Sequence, residues 1–260
     1  MEQIKELRLA VLIDADNIPY ANVKGMMEEI AKYGTPTFKR IYGDWTKPTL
    51  TGWKSVLLQN AITPVQQYSY TIGKNSSDSA LIIDAMDILY TGRVDGFCIV
   101  SSDSDFTRLA TRLREAGMQV YGIGEKKTPA PFISACNKFI YIEILKKREK
   151  PDSKPTVAKK TSRSRIKKSP QIAAPVSTVA AVDEDLRKLI SDSINDLGDE
   201  DGWVYLGVLG NLILKKKPDF DPRNYGYKKL IDMIKEIKDI DIDERETGKN
   251  NISHFYVKTK

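Results

Sequence analysis

The chain has 260 residues, 41% of them hydrophobic, with a formal net charge of +6 and one histidine, His254. That length suits one large domain or two smaller ones, and the absence of any earlier histidine excludes mechanisms built on a histidine base or a histidine-rich zinc site. No run approaches the roughly 18 apolar residues of a membrane span, no apolar signal-peptide core opens the sequence, and Cys98 and Cys136 follow no disulfide or metal spacing, so a reduced, cytoplasmic chain is expected.

Leu9-Ala10-Val11-Leu12-Ile13 is apolar without polar alternation and runs into Asp14-Ala15-Asp16-Asn17. The pattern predicts a strand buried on both faces, the usual condition in a parallel sheet. A helix is expected over 20–33, stopped by Gly34, then a strand over 37–42, a helix over 53–60 and a short strand over 63–68. A third helix is expected over 76–90. On it Leu81, Ile82, Ala85, Ile88 and Leu89 share the side of Asp78, whereas Asp84 and Asp87 lie roughly 120° and 180° round the helix and are expected to face solvent. Gly96-Phe97-Cys98-Ile99-Val100 is a second all-apolar run and leads into Ser101-Ser102-Asp103-Ser104-Asp105. A helix over 106–116, a strand over 119–123, a short helix over 131–136 and a last strand over 139–142 complete a β/α alternation, which implies a parallel sheet covered on both faces.

Acids placed where such strands end are in the position of an α/β ligand crevice. Crowded carboxylates repel one another unless a cation lies among them, and an oxygen-rich set suits Mg²⁺ or Mn²⁺. Asp14, Asp78, Asp103 and Asp105 are therefore candidate metal ligands. Each also has a plainer role: Asp14, Asp103 and Asp105 as turn or helix caps, and Asp78 as a first-turn acid favoured by the helix dipole with Ser76 or Ser77 as the cap; for Asp16 or Asn17 capping is the expected role. Trp45 and Lys47, then Trp53, Tyr68, Tyr70 and Lys74, interleave aromatics with lysines, a composition suited to stacking unpaired bases and contacting phosphates; the alternative is that Trp53 is core and Trp45 a loop anchor.

Charge divides the chain. Residues 1–145 carry 16 basic and 16 acidic residues, residues 146–182 carry 11 against 2, and residues 183–260 carry 14 against 17. The middle segment, rich in Pro, Ser and Thr, reads as a disordered basic linker able to neutralise phosphates without reading sequence. Beyond it, apolar residues at three- and four-residue spacing predict helices over 186–197, 203–214 and 225–237. Ile240 and Ile242 alternate with acids, and Gly248-Lys249-Asn250 turns the chain back along 252–257. Three helices and a hairpin make a small α+β winged-helix domain.

Ile13-Asp14-Ala15-Asp16-Asn17, Gly73 to Asp78 running into Ile83-Asp84-Ala85-Met86-Asp87, and Ser101 to Phe106 resemble the three signature segments of NYN domains, members of the PIN-like nuclease superfamily, over about residues 6–145. The resemblance implies a PIN-like three-layer α/β/α domain with a mainly parallel sheet and an acidic pocket that binds Mg²⁺ or Mn²⁺ and cleaves RNA. Asp14, Asp78, Asp103 and Asp105 match its metal-binding acids and Asn17 its pocket asparagine. The chain departs from the family at Ser101-Ser102-Asp103, often Ser-Gly-Asp, and by one extra residue before Asp78, which affects the placement of Lys74. Residues 183–259, with Pro218-Asp219-Phe220-Asp221 and Tyr225 to Leu230, are similar to OST-HTH/LOTUS domains, which implies RNA binding or protein contact. Arg223, Lys228, Lys229 and Lys249 are the candidate contacts there, and the net −3 of this domain keeps a protein-docking role open.

The expected organisation is thus a nuclease domain over 1–145, a linker over 146–182 and a winged-helix domain over 183–260, acting as a metal-dependent ribonuclease on an RNA partner. Two alternatives stand beside it: a non-catalytic RNA-binding or scaffold protein, and a haloacid-dehalogenase-like phosphatase with Asp14 as its covalent nucleophile.

Overall fold

In the computed structural model, which describes residues 6–68, 76–145, 182–247 and 252–260, the first apolar run forms strand β1 (Arg8–Asp14), buried from Leu9 onward. Its side chains alternate between two cores. Leu9, Val11 and Ile13 join Met26, Ile30 and Trp53, whereas Ala10 and Leu12 join Leu81, Phe97, Phe106 and Phe139. A strand with no polar face has to be covered on both sides, and helices cover it. The order along the chain is β1, α1 (Val23–Ile30), β2 (Thr35–Gly43), α2 (Trp53–Gln59), β3 (Thr63–Gln66), α3 (Ser76–Thr91), β4 (Gly96–Val100), α4 (Thr107–Glu115), β5 (Gln119–Gly124), α5 (Ala130–Ala135) and β6 (Lys138–Tyr141).

All six strands are parallel, in the order β3-β2-β1-β4-β5-β6. The chain therefore builds outward from β1 in one direction, then returns to β4 and builds outward in the other. The reversal opens a crevice beyond the carboxyl ends of β1 and β4, where Asp14 and the Ser101–Asp105 segment lie. The β/α alternation is as expected, and both cysteines are free and buried. Asp84 is a correction: its carboxylate engages Arg40 and the Tyr42 hydroxyl on β2 instead of facing solvent. The neighbouring strand supplies partners that the α3 sequence alone does not show.

The second unit contains α6 (Glu184–Leu197), β7 (Val204–Tyr205), α7 (Leu206–Lys216), α8 (Leu230–Ile234) and the hairpin β8 (Ile240–Thr247) with β9 (Ile252–Thr259). It is a winged helix with two local differences from expectation. Val204 and Tyr205 pair with β9 instead of opening a helix. The third helix is cut to α8, because Gly226 takes a left-handed conformation at φ 86° and Lys229 is extended; glycine adopts that φ at little cost.

The two units meet along β6, the edge of the large sheet. The Phe139 amide donates to the Pro218 carbonyl at 2.8 Å, and the Tyr141 hydroxyl donates to Asp219 at 2.9 Å. An edge strand offers unpaired backbone groups, and here the second unit covers part of that edge. Arg223 adds a fork to the Glu29 carboxylate of α1 at 2.8 and 2.9 Å, and it also binds Asp221. Among the described residues, no helix is long and apolar enough to cross a membrane.

Candidate metal centre

Asp14 ends β1 with 1% of its surface exposed. One carboxylate oxygen accepts from the Asp16 amide at 3.1 Å. The other accepts from the Asn17 side-chain amide at 2.5 Å and from the Ser101 hydroxyl at 2.9 Å. Ser101 in turn accepts from the Asp103 amide at 3.1 Å. This hydroxyl ties the end of β1 to the end of β4, so the two acidic loops hold a fixed relation. Burial pushes the Asp14 carboxyl above the usual carboxylate range, against the pull of its three donors.

Asp103 lies just beyond β4 and caps the 3₁₀ turn Ser104–Phe106 by accepting from the Asp105 amide at 2.9 Å. Asp78, 8% exposed, is in the first turn of α3. Asp103 thus does cap, Asp78 holds the first-turn position that the helix dipole favours, and the two converge as well. One carboxylate oxygen from each of Asp78, Asp103 and Asp105 lies within 4.8 Å of the others. Three hard oxygen donors at that separation fit a divalent cation such as Mg²⁺ or Mn²⁺. Asp14 is outside this trio, yet its charge reaches Asp78.

The electrostatics agree with the geometry. Burial, then the charges of Asp14, Asp103, Asp105 and Asp16, push the Asp78 carboxyl up to about 6. The folded chain therefore holds this proton more tightly than an unfolded chain, whose carboxyl titrates near 3.8. The pocket favours folding at low pH and loses that advantage as pH rises from about 3.8 through about 6. In EDTA, Asp78→Asn is expected to melt above the wild type, with a gap that opens across that interval and levels off beyond it. A gap independent of pH would refute the crowding of these acids.

The other sequence candidates are placed unevenly. Lys47 borders the pocket, its ammonium 3.8 Å from Asp16. Trp45 donates its indole N–H to the Val65 carbonyl at 3.0 Å and packs against the core, and Trp53 is 2% exposed. Both are anchors in the described fold. Tyr68 is exposed, whereas Tyr70, Lys74 and Lys249 lie outside the described residues. Lys228 and Lys229 are exposed and, with Lys138, line a 560 Å³ groove floored by Leu206, Leu214 and Phe220. Arg223, expected as an RNA contact, has its guanidinium engaged by Glu29 and Asp221 at the junction instead. Sequence reasoning gave no role to Ser101 or Glu29. Ser101 could have been found from its position directly after β4, and nothing in the local sequence marks Glu29.

Comparison with protein-family models matches the NYN domain over residues 8–143 and the OST-HTH/LOTUS domain over residues 177–252. Curated proteins give no match. Among solved structures, the chain is similar to a protein of unknown function from Vibrio parahaemolyticus, with 19% identity, 55% of this chain and 96% of that chain covered, and a TM-score of 0.45. It is also similar to an uncharacterized protein from Nitrosomonas europaea, with 33% identity, 38% of this chain and 92% of that chain covered, and a TM-score of 0.28. The six parallel strands, their flanking helices and the acids at the β1/β4 switch are those of a PIN-like α/β/α domain, and the chain belongs to the NYN family, with an OST-HTH/LOTUS winged-helix domain following its NYN domain.

Proposed function

We propose that the protein is a metal-dependent ribonuclease. The observation that carries this reading is the convergence of Asp78, Asp103 and Asp105 at the switch point of a NYN domain. These three would hold Mg²⁺ or Mn²⁺. Bound there, the cation supplies a water of lowered pKa and a counter-charge for the phosphate and the leaving oxygen. Asp14, with Asn17 and Ser101, fixes the loops that present the trio and adds negative charge to the pocket. Lys47, beside Asp16, would meet a phosphate of the incoming strand. Further along, Lys228 and Lys229 with the basic residues of 146–182 would neutralise more distant phosphates, and the OST-HTH/LOTUS family supports RNA as the polymer. Two buried free cysteines suit a reducing compartment, in line with a cytoplasmic protein.

A phosphatase with Asp14 as nucleophile is disfavoured, because both oxygens of that carboxylate already accept hydrogen bonds in a buried setting. The deciding experiment incubates the protein with single-stranded RNA, structured RNA and matched DNA in Mn²⁺, Mg²⁺ or EDTA. Cleavage of RNA that needs the metal is expected. RNA bound without turnover under either cation would leave a binding or scaffold protein.

A further inference from the structure

Directly after Asp14 the chain turns through Asp16 and Asn17 into Ile18, Pro19 and Tyr20, and this turn forms one wall of a second cavity of 260 Å³. It is smaller than the roughly 300–1,000 Å³ of drug-sized sites, and at ~30 Å³ per water it would hold about nine. That volume suits a single ring system. Its interior is apolar where Ile18, Leu50 and Trp53 contribute, and those three are buried at 3%, 5% and 2% exposure. Tyr20, by contrast, is 47% exposed. Its ring lies so close to Gly52 that a Cβ there would fall 2.4 Å from Cε1, so glycine leaves room for an exposed aromatic against the backbone.

The polar groups of the wall decide what can enter. Asp16 and Glu125 are carboxylates, which repel a phosphate and accept from amino groups. Glu125 is paired with Lys127 at 2.6 Å and Asp16 lies 3.8 Å from Lys47, so cations stand beside the acids. A slot of mixed lining, with apolar side chains, an aromatic rim, acceptor groups and a neighbouring lysine, is complementary to a nucleobase whose phosphate stays outside. We infer that this cavity is a subsite for one unpaired base next to the phosphate at the acidic trio, with Tyr20 as its stacking residue. The acceptors favour adenine, cytosine or guanine, which carry exocyclic amino groups, over uracil. The inference deepens the nuclease reading and rests on it for the identity of the polymer.

Binding in EDTA separates the two. Short labelled single-stranded RNAs of A, C or U, and copies carrying one abasic nucleotide at successive positions, are titrated by fluorescence anisotropy. Tyr20→Ala is expected to weaken binding of the A and C strands about tenfold, the scale of one lost base stack, and Tyr20→Phe to restore it. With the abasic nucleotide at the sensitive position, Tyr20→Ala should cause no further loss. Equal weakening of intact and abasic strands, no weakening, or tightest binding of the U strand would overturn the subsite. Cleavage in Mn²⁺ is scored in parallel. Active enzyme without base-dependent coupling to Tyr20 sinks the subsite alone. Base-dependent coupling without cleavage keeps the subsite and sinks the nuclease.

Discussion

Asp103→Asn is expected to lower metal-dependent RNA cleavage by more than roughly a hundredfold, since partners one step removed from a metal already cost about 10- to 100-fold, and to leave the melting temperature no lower. The choice of asparagine follows from the local structure. Asp103 caps the 3₁₀ turn through the Asp105 amide, and asparagine caps as well as aspartate. The substitution thus removes a charged donor and keeps the turn, whereas Asp103→Ala would also lose about 1 kcal/mol of capping. Asp14→Asn, the change the sequence suggests, is a poorer probe. Its new amide would face the Asn17 amide, which already donates to that oxygen, and a buried donor without an acceptor costs about 1–3 kcal/mol. Cleavage by Asp103→Asn at the wild-type rate would remove the trio from the reaction.

Arg223→Ala is expected to destabilise the protein by about 3 kcal/mol, the scale for removing one partner of a buried ion pair. Glu29 is 3% exposed, and its carboxylate accepts from both arms of the guanidinium, from Lys32 and from the Tyr33 hydroxyl. Burial alone would raise its pKa; the Arg223 fork, Lys32 and Tyr33 together hold it at about 2. A carboxyl titrating below its ordinary 4.5 stabilises the fold fully above that value and loses the contribution as pH falls toward about 2. The Arg223 effect should therefore be largest near neutrality and shrink in acid. Chemical unfolding of Arg223→Ala, Glu29→Ala and the double variant reads the coupling directly. Strictly additive losses would show that the junction is not held by this pair. Lys32→Ala should matter far less, because that ammonium is mostly in water.

The two predictions fall on opposite sides of what sequence reading reaches. Asp14, Asp78, Asp103 and Asp105 were visible because each follows a local signal: an apolar run that ends, or the first turn of an amphipathic helix. A buried strand needs an uninterrupted apolar run, and a parallel sheet puts all its strand ends on one edge, so local pattern is enough to collect acids there. The small α+β domain was visible for the same reason, through three- and four-residue spacing followed by alternation.

Partners were not visible. Helical angle points Asp84 to solvent because it carries no information about Arg40 and Tyr42 on β2. From the sequence Arg223 is a candidate nucleic-acid contact, because a basic residue beside a winged-helix motif carries no sign that Glu29, 194 positions away, will meet it. For Trp45 the sequence leaves stacking and loop anchoring side by side, and the bond from its indole N–H to the Val65 carbonyl supplies the anchor. Periodicity and strand-end chemistry are properties of neighbouring residues, so the chain alone set the β/α order, the acidic edge and the two-domain plan. The convergence of Asp78, Asp103 and Asp105, the anchoring of Asp14 by Ser101, the cavity beside Tyr20 and the clamp between the domains each depend on distances between segments far apart in sequence, and those distances exist only once the cores have packed.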